Sequence, residues 1–139
     1  TQILSGNRKI KLGSLHPTRD FSYVEDTVDG FLKIGQSSKS IGEIINIGSG
    51  FEISIKDLCL MIQDITETDI KIISDHKRIR PKSGEVHRLK ADNTKAKKIL
   101  KWKPLYSGKN GLKKGLKETI EWFSNSENMS KYKTNIYNI

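Results

Sequence analysis

The chain has 139 residues, of which 35% are apolar and 29% are charged, and its formal net charge at pH 7 is +9. This length suits one domain of ordinary size, and the excess of positive charge predicts an anionic ligand. No apolar run approaches the ~20 residues of a membrane span, and the single cysteine, Cys59, excludes an internal disulfide and favours a reducing compartment, so we expect a cytoplasmic protein without a membrane partner.

Two strands and a helix are predicted in the first third of the chain. Residues 9–12 alternate between basic and apolar side chains, which is the pattern of a strand. Residues 20–24 predict a second strand because they are rich in aromatic and β-branched side chains. A helix follows, with Asp26 or Thr27 as its N-cap. Its predicted apolar face contains Val28, Phe31, Leu32 and Ile34.

The middle of the chain predicts a buried strand and a second helix. Residues 44–47 form a nearly continuous apolar run that is closed by glycines at 48 and 50, which is typical of a buried parallel strand. Ser54 is the predicted N-cap of the next helix, with Asp57 at the third helical position. The predicted apolar face of this helix contains Ile55, Leu58, Cys59, Ile62 and Ile65, with Cys59 as a packed core thiol.

The last third of the chain predicts one more strand and two helices. Residues 70–73 have the composition of a strand, and residues 94–100 that of a short helix capped by Asp92 or Asn93. An amphipathic helix is predicted over residues 110–123. It would bury Leu112, Leu116, Ile120 and Phe123.

The basic loop at residues 77–92 has the composition of a ligand-binding segment. Pro81 and Gly84 interrupt any helical or strand periodicity, and the proline stiffens the backbone beside Arg80. Guanidinium groups match phosphate oxygens, and a carboxylate such as that of Glu85 accepts hydrogen bonds from sugar hydroxyls. The loop therefore predicts a site for an anionic ligand with hydroxyl groups, although a solvated basic loop has the same composition.

The residues themselves predict binding and no reaction. The histidines at 16, 76 and 87 have no cysteine or acidic partner at metal-ligand spacing, so we expect no metal site. The glycines at 108, 111 and 115 follow no strand, so they do not form a dinucleotide fingerprint. Arginines at two places remain as candidates: Arg19, which has an ion pair with Asp20 as its alternative, and Arg78 with Arg80 in the basic loop.

Five segments in chain order resemble the C-terminal portion of the extended short-chain dehydrogenase/reductases that act on nucleotide sugars. Residues 17–27 are similar to the family's Arg-Asp-aromatic-x-x-Val-x-Asp segment, and residues 45–50 to its Asn-Ile-Gly-x-Gly strand and turn. Residues 80–86 resemble the loop that grips the nucleoside diphosphate. Residues 91–96 and 100–104 resemble the Asp-x-x-Lys-Ala and Leu-Gly-Trp-x-Pro segments, with Lys101 in place of the usual glycine, and residues 115–123 resemble the closing helix.

The resemblance implies an α/β fold: the C-terminal substrate domain of this family with the last strands and helices of its Rossmann sheet, and without the N-terminal NAD-binding half. Residues 1–123 would form the substrate-binding portion and residues 124–139 a polar tail. The family's Tyr-x-x-x-Lys pair belongs to the N-terminal half, and no tyrosine here has a lysine four residues on. The chain would then be inactive alone, NAD would serve the full-length enzyme, and the surface left by the absent Rossmann half would invite self-association.

The resemblance also implies roles for matching positions. Arg19 and Arg80 would hold the diphosphate of a nucleoside-diphosphate sugar, and Glu85 would replace an aspartate that bonds the ribose hydroxyls. Lys11 and Leu12 match the strand end beside the nucleotide. The candidate substrate-binding residues are therefore Lys11, Leu12, Arg19, Arg78, Arg80 and Glu85.

Two segments point to a narrower class within the family. Residues 12–21 and 80–86 most resemble the sugar 4,6-dehydratases of legionaminic-type pathways, whose substrates are UDP- or GDP-N-acetylglucosamine. The 4-epimerases share nearly every motif in this half and are the close alternative, and a non-catalytic sugar-nucleotide binding module is another. A nucleic-acid partner is not expected, because the sequence predicts neither an aromatic stacking platform nor a basic recognition helix.

Overall fold

The structure is a computed structural model that describes residues 1–79, 81 and 84–132. The described residues form five strands and five α-helices, with two short 3-10 turns at Ser38–Ser40 and His76–Arg78. The strands are β1 (Lys9–Leu12), β2 (Thr18–Asp20), β3 (Glu52–Ser54), β4 (Lys71–Ser74) and β5 (Arg88–Leu89). The helices are α1 (Val24–Gln36), α2 (Ile55–Thr66), α3 (Thr94–Leu100), α4 (Gly108–Ser124) and α5 (Ser126–Ser130). None of these helices is long and apolar enough to cross a membrane.

The strands form two small sheets. β1 pairs in parallel with β4, with Leu12 opposite Ser74. β2 is the central strand of the second sheet, where it runs antiparallel to β3 and parallel to β5. Arg19 lies at the middle of β2, opposite Ile53 on one side and Leu89 on the other. The second sheet therefore holds the backbone of Arg19 in place from both sides.

The hydrophobic core lies between α2, α4 and the second sheet. Ile53, Met61 and Leu112 are buried, and five partly buried apolar side chains pack against them: Phe21, Phe51, Leu58, Ile65 and Leu116. Cys59 is buried as a packed thiol, as predicted. Ser54 caps α2 by accepting a hydrogen bond from Asp57 N at 3.0 Å, as the sequence also predicted.

The first helix begins earlier than predicted. The strand predicted over residues 20–24 is shifted toward the N-terminus: β2 ends at Asp20, Tyr23 is the N-cap of α1, and Val24 is already helical. Neither Asp26 nor Thr27 is the cap. The Asp26 carboxylate instead accepts hydrogen bonds from Leu105 N at 2.7 Å and Tyr106 N at 2.9 Å, so it holds a segment 80 residues away.

Residues 44–47 do not form the buried strand that the sequence predicted. They belong to no regular element, and Ile44 is 86% exposed. A strand needs a neighbour to satisfy its backbone N–H and C=O groups, and no described strand of this chain pairs with these residues. The apolar face predicted for α1 exists, and its side chains Val28, Phe31 and Leu32 are exposed.

Of the two cap candidates for α3, Asp92 and Asn93, one occupies the N-cap position and the other makes the capping hydrogen bond. Asn93 is the N-cap residue, yet its side chain donates to Gly48 O at 3.0 Å and makes no cap hydrogen bond. The Asp92 carboxylate accepts a hydrogen bond from Thr94 N at 2.9 Å instead.

The short helix α5 lies within the predicted polar tail, and the Tyr132 ring packs on Phe123 with 4.9 Å between ring centroids.

A carboxylate that joins the edges of the second sheet predicts a pH-dependent stability. Glu52 on β3 accepts hydrogen bonds from Arg88 on β5 and from Thr18 on β2, and these bonds lower its pKa from 4.5 to about 2. A carboxylate whose pKa is lower in the folded than in the unfolded state stabilises the fold at pH values above its unfolded-state pKa. This stabilisation is lost as the pH falls through its folded-state pKa. We expect the stability difference between wild type and Glu52→Gln to be constant above about pH 5 and to shrink steadily as the pH falls from 5 to 2.

Urea unfolding at a series of pH values from 6 to 2 measures this difference. Glu121→Gln is a suitable control, because Glu121 is exposed on α4. A difference between wild type and Glu52→Gln that stays the same down to pH 2 would contradict the assignment.

Candidate ligand-binding site

A cleft of about 200 Å³ opens beside the carboxyl end of β1. Its lining residues are Leu12, Gly13, Ser14, Pro17, Arg19, Ile55, Arg78 and Glu85. The structure therefore brings together Leu12, Arg19, Arg78 and Glu85, which are four of the six candidate substrate-binding residues. Arg80 lies outside the described residues. Lys11 is exposed and does not line the cleft.

The parallel pairing of β1 and β4 explains why the cleft forms here. Their carboxyl ends meet at one edge of the sheet, so the loops that follow them lie side by side, and Asp75 N donates to Leu12 O at 2.8 Å. Gly13 makes this close approach possible. A Cβ atom at position 13 would lie 2.2 Å from the main-chain oxygen of Arg78, so no other residue fits without a shift of the backbone.

Arg19 is held in the cleft by three hydrogen bonds. Its Nη1 donates to Thr18 O at 2.8 Å and to Val86 O at 2.7 Å, and its Nη2 donates to Glu85 Oε1 at 3.3 Å. A guanidinium has five N–H donors, so Nε and the second hydrogen of Nη2 have no acceptor among the described residues. Arg19 therefore both fastens the basic loop to β2 and keeps donors for a ligand.

The second guanidinium of the cleft belongs to Arg78. Its Nε donates to Asp75 Oδ2 at 3.2 Å. Partial burial of Asp75 acts to raise the pKa of this carboxyl, but hydrogen bonds from Lys77 N and Arg78, with the nearby charges of Arg78 and Lys11, lower it below its usual value. Asp75 is thus ionised at neutral pH and orients Arg78 at the end of its 3-10 turn.

Asp20 is not the ion-pair partner of Arg19. Successive side chains of a strand point to opposite faces, and the Asp20 carboxylate lies on the face away from the cleft. It accepts hydrogen bonds from Ser49 N at 3.0 Å, Gly50 N at 2.9 Å and Ala91 N at 3.1 Å, and also from the Ser49 hydroxyl. Asp20 therefore joins three distant segments of the chain, a role that its sequence position did not reveal.

The hydrogen bonds to Asp20 also bear on whether the glycine turn at residues 48–50 could bind the pyrophosphate of NAD. A phosphate-binding glycine turn needs unoccupied backbone N–H groups. The N–H groups of Ser49 and Gly50 already donate to Asp20. Gly111 packs against the Tyr106 main chain and Gly115 against the Tyr23 ring, which makes them packing residues. The glycine turn at residues 48–50 and the glycines of α4 therefore do not fit the pyrophosphate of NAD.

Sequence reasoning missed four lining residues. Gly13, Ser14 and Pro17 fall inside the segment that suggested Leu12, and a glycine directly after a strand was the available signal. Ile55 was predicted only as part of the core face of α2, and nothing in its sequence context marked it. The first N–H groups of α2 are not available to a ligand, because Ile55 N donates to Pro17 O and Lys56 N to Leu15 O.

Comparison with known proteins places this arrangement in a family. Residues 1–115 match the family model described as GDP-mannose 4,6 dehydratase. The chain belongs to this family. Its resemblance to the extended short-chain dehydrogenase/reductases that act on nucleotide sugars is thereby confirmed, as is the α/β fold class. The closer similarity to legionaminic-pathway dehydratases stays a prediction.

Relatives in this family act on different nucleotide sugars. A UDP-N-acetyl-alpha-D-glucosaminuronate decarboxylase of Bacillus cytotoxicus is 35% identical over 127 residues, which cover 90% of this chain and 38% of that protein. The solved UDP-glucose 4-epimerase of Thermotoga maritima, in a structure with UDP-glucose, is 30% identical with a TM-score of 0.75 over 91% of this chain and 38% of that one.

A third relative was solved with its cofactor. It is the UDP-glucuronic acid 4-epimerase of Bacillus cereus in complex with UDP-glucuronic acid and NAD, which is 28% identical with a TM-score of 0.73 and is matched over 94% of this chain and 38% of that one. NAD is thus a cofactor of full-length relatives. The chain spans little more than a third of the length of these proteins.

Proposed function

We propose that this chain supplies the substrate-binding portion of an NAD-dependent nucleotide-sugar enzyme, with residues 1–123 binding a nucleoside-diphosphate sugar. The observation behind this proposal is the cleft in which Arg19, Arg78 and Glu85 meet. Guanidinium groups bind phosphate oxygens, and a carboxylate accepts from ribose or sugar hydroxyls. About 200 Å³ holds only part of such a ligand, so the remainder would lie outside the cleft.

The reaction class that we propose is 4,6-dehydration of UDP- or GDP-N-acetylglucosamine. The similarity of residues 12–21 and 80–86 to that class supports it. UDP-sugar 4-epimerisation is the second candidate, and the similarity to two solved 4-epimerases favours it. Both reactions need the same diphosphate and ribose contacts, so the proposed role of the cleft does not depend on the choice.

Oxidation at the sugar requires groups that these residues do not provide. The 139 residues contain no Tyr-x-x-x-Lys pair, and their glycine turn at residues 48–50 is occupied by Asp20. We propose that the tyrosine base and the NAD site belong to a Rossmann half outside this sequence, so that the 139 residues alone bind substrate without converting it.

Titration of the chain with UDP and GDP tests the proposed function. We expect a dissociation constant on the order of 1 mM, since the cleft encloses only part of the ligand and the rest gains few contacts. Isothermal titration calorimetry, or ligand-observed NMR at this affinity, measures it. No binding at several times that concentration would overturn the proposal.

The surface that would contact the Rossmann half makes self-association an expected property. Val28, Phe31 and Leu32 on α1 are 50%, 66% and 58% exposed, and Ile44 is also exposed. Apolar side chains exposed together on one face favour association. We expect the mass measured by size-exclusion chromatography with light scattering to rise with protein concentration.

The matched variants for this test are Phe31→Glu and Lys117→Glu. Phe31→Glu places a charge on the exposed face of α1 and should restore a monomer. Lys117→Glu changes an exposed residue on α4 and should leave the concentration dependence as it is. A wild-type chain that is a monomer at every concentration would show that this face does not associate.

A further inference from the structure

The carboxylate of Glu85 accepts a hydrogen bond from Nη2 of Arg19, one of the donors on the guanidinium that a bound phosphate would contact. The contact between Arg19 Nη2 and Glu85 Oε1 is 3.3 Å long, whereas Arg19 Nη1 donates to Thr18 O at 2.8 Å and Val86 O at 2.7 Å. Hydrogen bonds between guanidinium and carboxylate are usually about 2.7–2.9 Å. The main-chain oxygens therefore fix the guanidinium, and Glu85 is its more weakly held partner.

Each guanidinium of the cleft also has a carboxylate partner in this arrangement. Among the described side chains, Arg19 faces Glu85, and Arg78 donates to Asp75. Glu85 is only 13% exposed and Arg19 only 22% exposed, so water screens their interaction incompletely. A diphosphate that entered the cleft with Glu85 in place would lie beside a carboxylate of like charge.

We propose that Glu85 is a specificity-determining residue that stays on Arg19 until a ligand with both a diphosphate and sugar hydroxyls displaces it. This inference depends on the proposed function. The phosphate takes the Arg19 donor, and the released carboxylate accepts a hydrogen bond from a ligand hydroxyl. Inorganic pyrophosphate has no ribose or sugar hydroxyl to offer, so it would displace Glu85 from this donor without that compensation. The pair thereby discriminates nucleoside diphosphates from free pyrophosphate.

The test compares UDP with inorganic pyrophosphate on the 139-residue chain and on Glu85→Gln. The amide removes the negative charge and keeps the size of the side chain, so we expect pyrophosphate to bind roughly fivefold more tightly, as expected for the loss of one like charge at contact distance in a partly solvated site. UDP affinity should change less, because the loss of the carboxylate also weakens the hydroxyl contact. The ratio of UDP to pyrophosphate affinity should therefore fall.

Two further variants complete the test. Glu121→Gln changes the net charge equally, but Glu121 is exposed on α4 outside the cleft, so pyrophosphate affinity should change by less than about twofold. Glu85→Asp keeps the negative charge in the cleft but shortens the side chain by one methylene, so pyrophosphate affinity should rise by less than in Glu85→Gln. Circular dichroism melts of each variant establish that it is folded, and the aspartate variant still tests the inference if the glutamine variant does not fold.

Each outcome has a defined consequence. Pyrophosphate binding that tightens most in Glu85→Gln, with a reduced UDP preference, supports the inference. Binding of UDP by wild type with unchanged or weaker pyrophosphate binding in Glu85→Gln overturns the inference and leaves the proposed function intact. An equal gain in Glu121→Gln or in Glu85→Asp also overturns it. Failure of both ligands to bind wild type and Glu85→Gln overturns the inference together with the proposed function.

Discussion

Replacing Arg19 with alanine is expected to weaken UDP binding by roughly 30-fold or more. The guanidinium is fixed by Thr18 O and Val86 O, so its remaining donors meet a phosphate without further ordering. A hydrogen bond to a charged group contributes about 1.5–3 kcal/mol, and about 2 kcal/mol corresponds to roughly 30-fold in affinity. Calorimetric or NMR titration of wild type and Arg19→Ala with UDP gives the ratio.

Arg88→Ala is the matched control for this prediction. It also removes one guanidinium from the three-stranded sheet, but Arg88 pairs with Glu52, is largely exposed and does not line the cleft. UDP affinity in this variant should stay within about twofold of wild type. Equal UDP affinity in wild type and Arg19→Ala would remove Arg19 from the site, and equal losses in both variants would show that only net charge matters.

Replacing Asp20 with alanine is expected to destabilise the fold by about 3 kcal/mol or more. Its carboxylate accepts hydrogen bonds from three main-chain N–H groups, those of Ser49, Gly50 and Ala91, and from the Ser49 hydroxyl. Each buried donor that loses its acceptor costs about 1–3 kcal/mol. Against a typical domain stability of about 5–15 kcal/mol, this loss is large.

Urea unfolding measures the effect of the Asp20 variant. With a slope of about 1–3 kcal/mol per molar urea, the midpoint should fall by about 1–3 M. Asp29→Ala removes an exposed carboxylate on α1 whose ion-pair partner is Lys33, so its midpoint should stay close to that of wild type. A loss below about 1 kcal/mol in Asp20→Ala would mean that the three joined segments are held by other contacts.

Arg19→Ala and Asp20→Ala change neighbouring residues of β2, and we expect opposite effects from them. Arg19→Ala should change ligand binding more than stability, and Asp20→Ala should do the reverse, because the two side chains lie on opposite faces of β2. Measurement of both properties in both variants therefore separates the binding face of this strand from its structural face.

Local patterns predicted most of the elements well. The strand at Lys9–Leu12 and the helix α2 with its Ser54 cap follow from side-chain alternation, helical periodicity and a capping hydroxyl, all of which act within a few residues. The start of α1 was wrong because Asp26 looks like a local cap but binds the main chain of Leu105 and Tyr106. The strand at residues 44–47 was wrong because strand formation requires a partner, and composition alone supplies none.

The sequence by itself determined the family, the candidate arginines and the absence of a Tyr-x-x-x-Lys pair, because motifs are runs of neighbouring residues. Only the tertiary structure decided that Arg19 pairs with Glu85, 66 residues away, and that the adjacent Asp20 turns to the opposite face and holds the chain together. The physical reason is that guanidinium and carboxylate groups choose partners by distance and direction in space, which sheet pairing sets and sequence spacing does not.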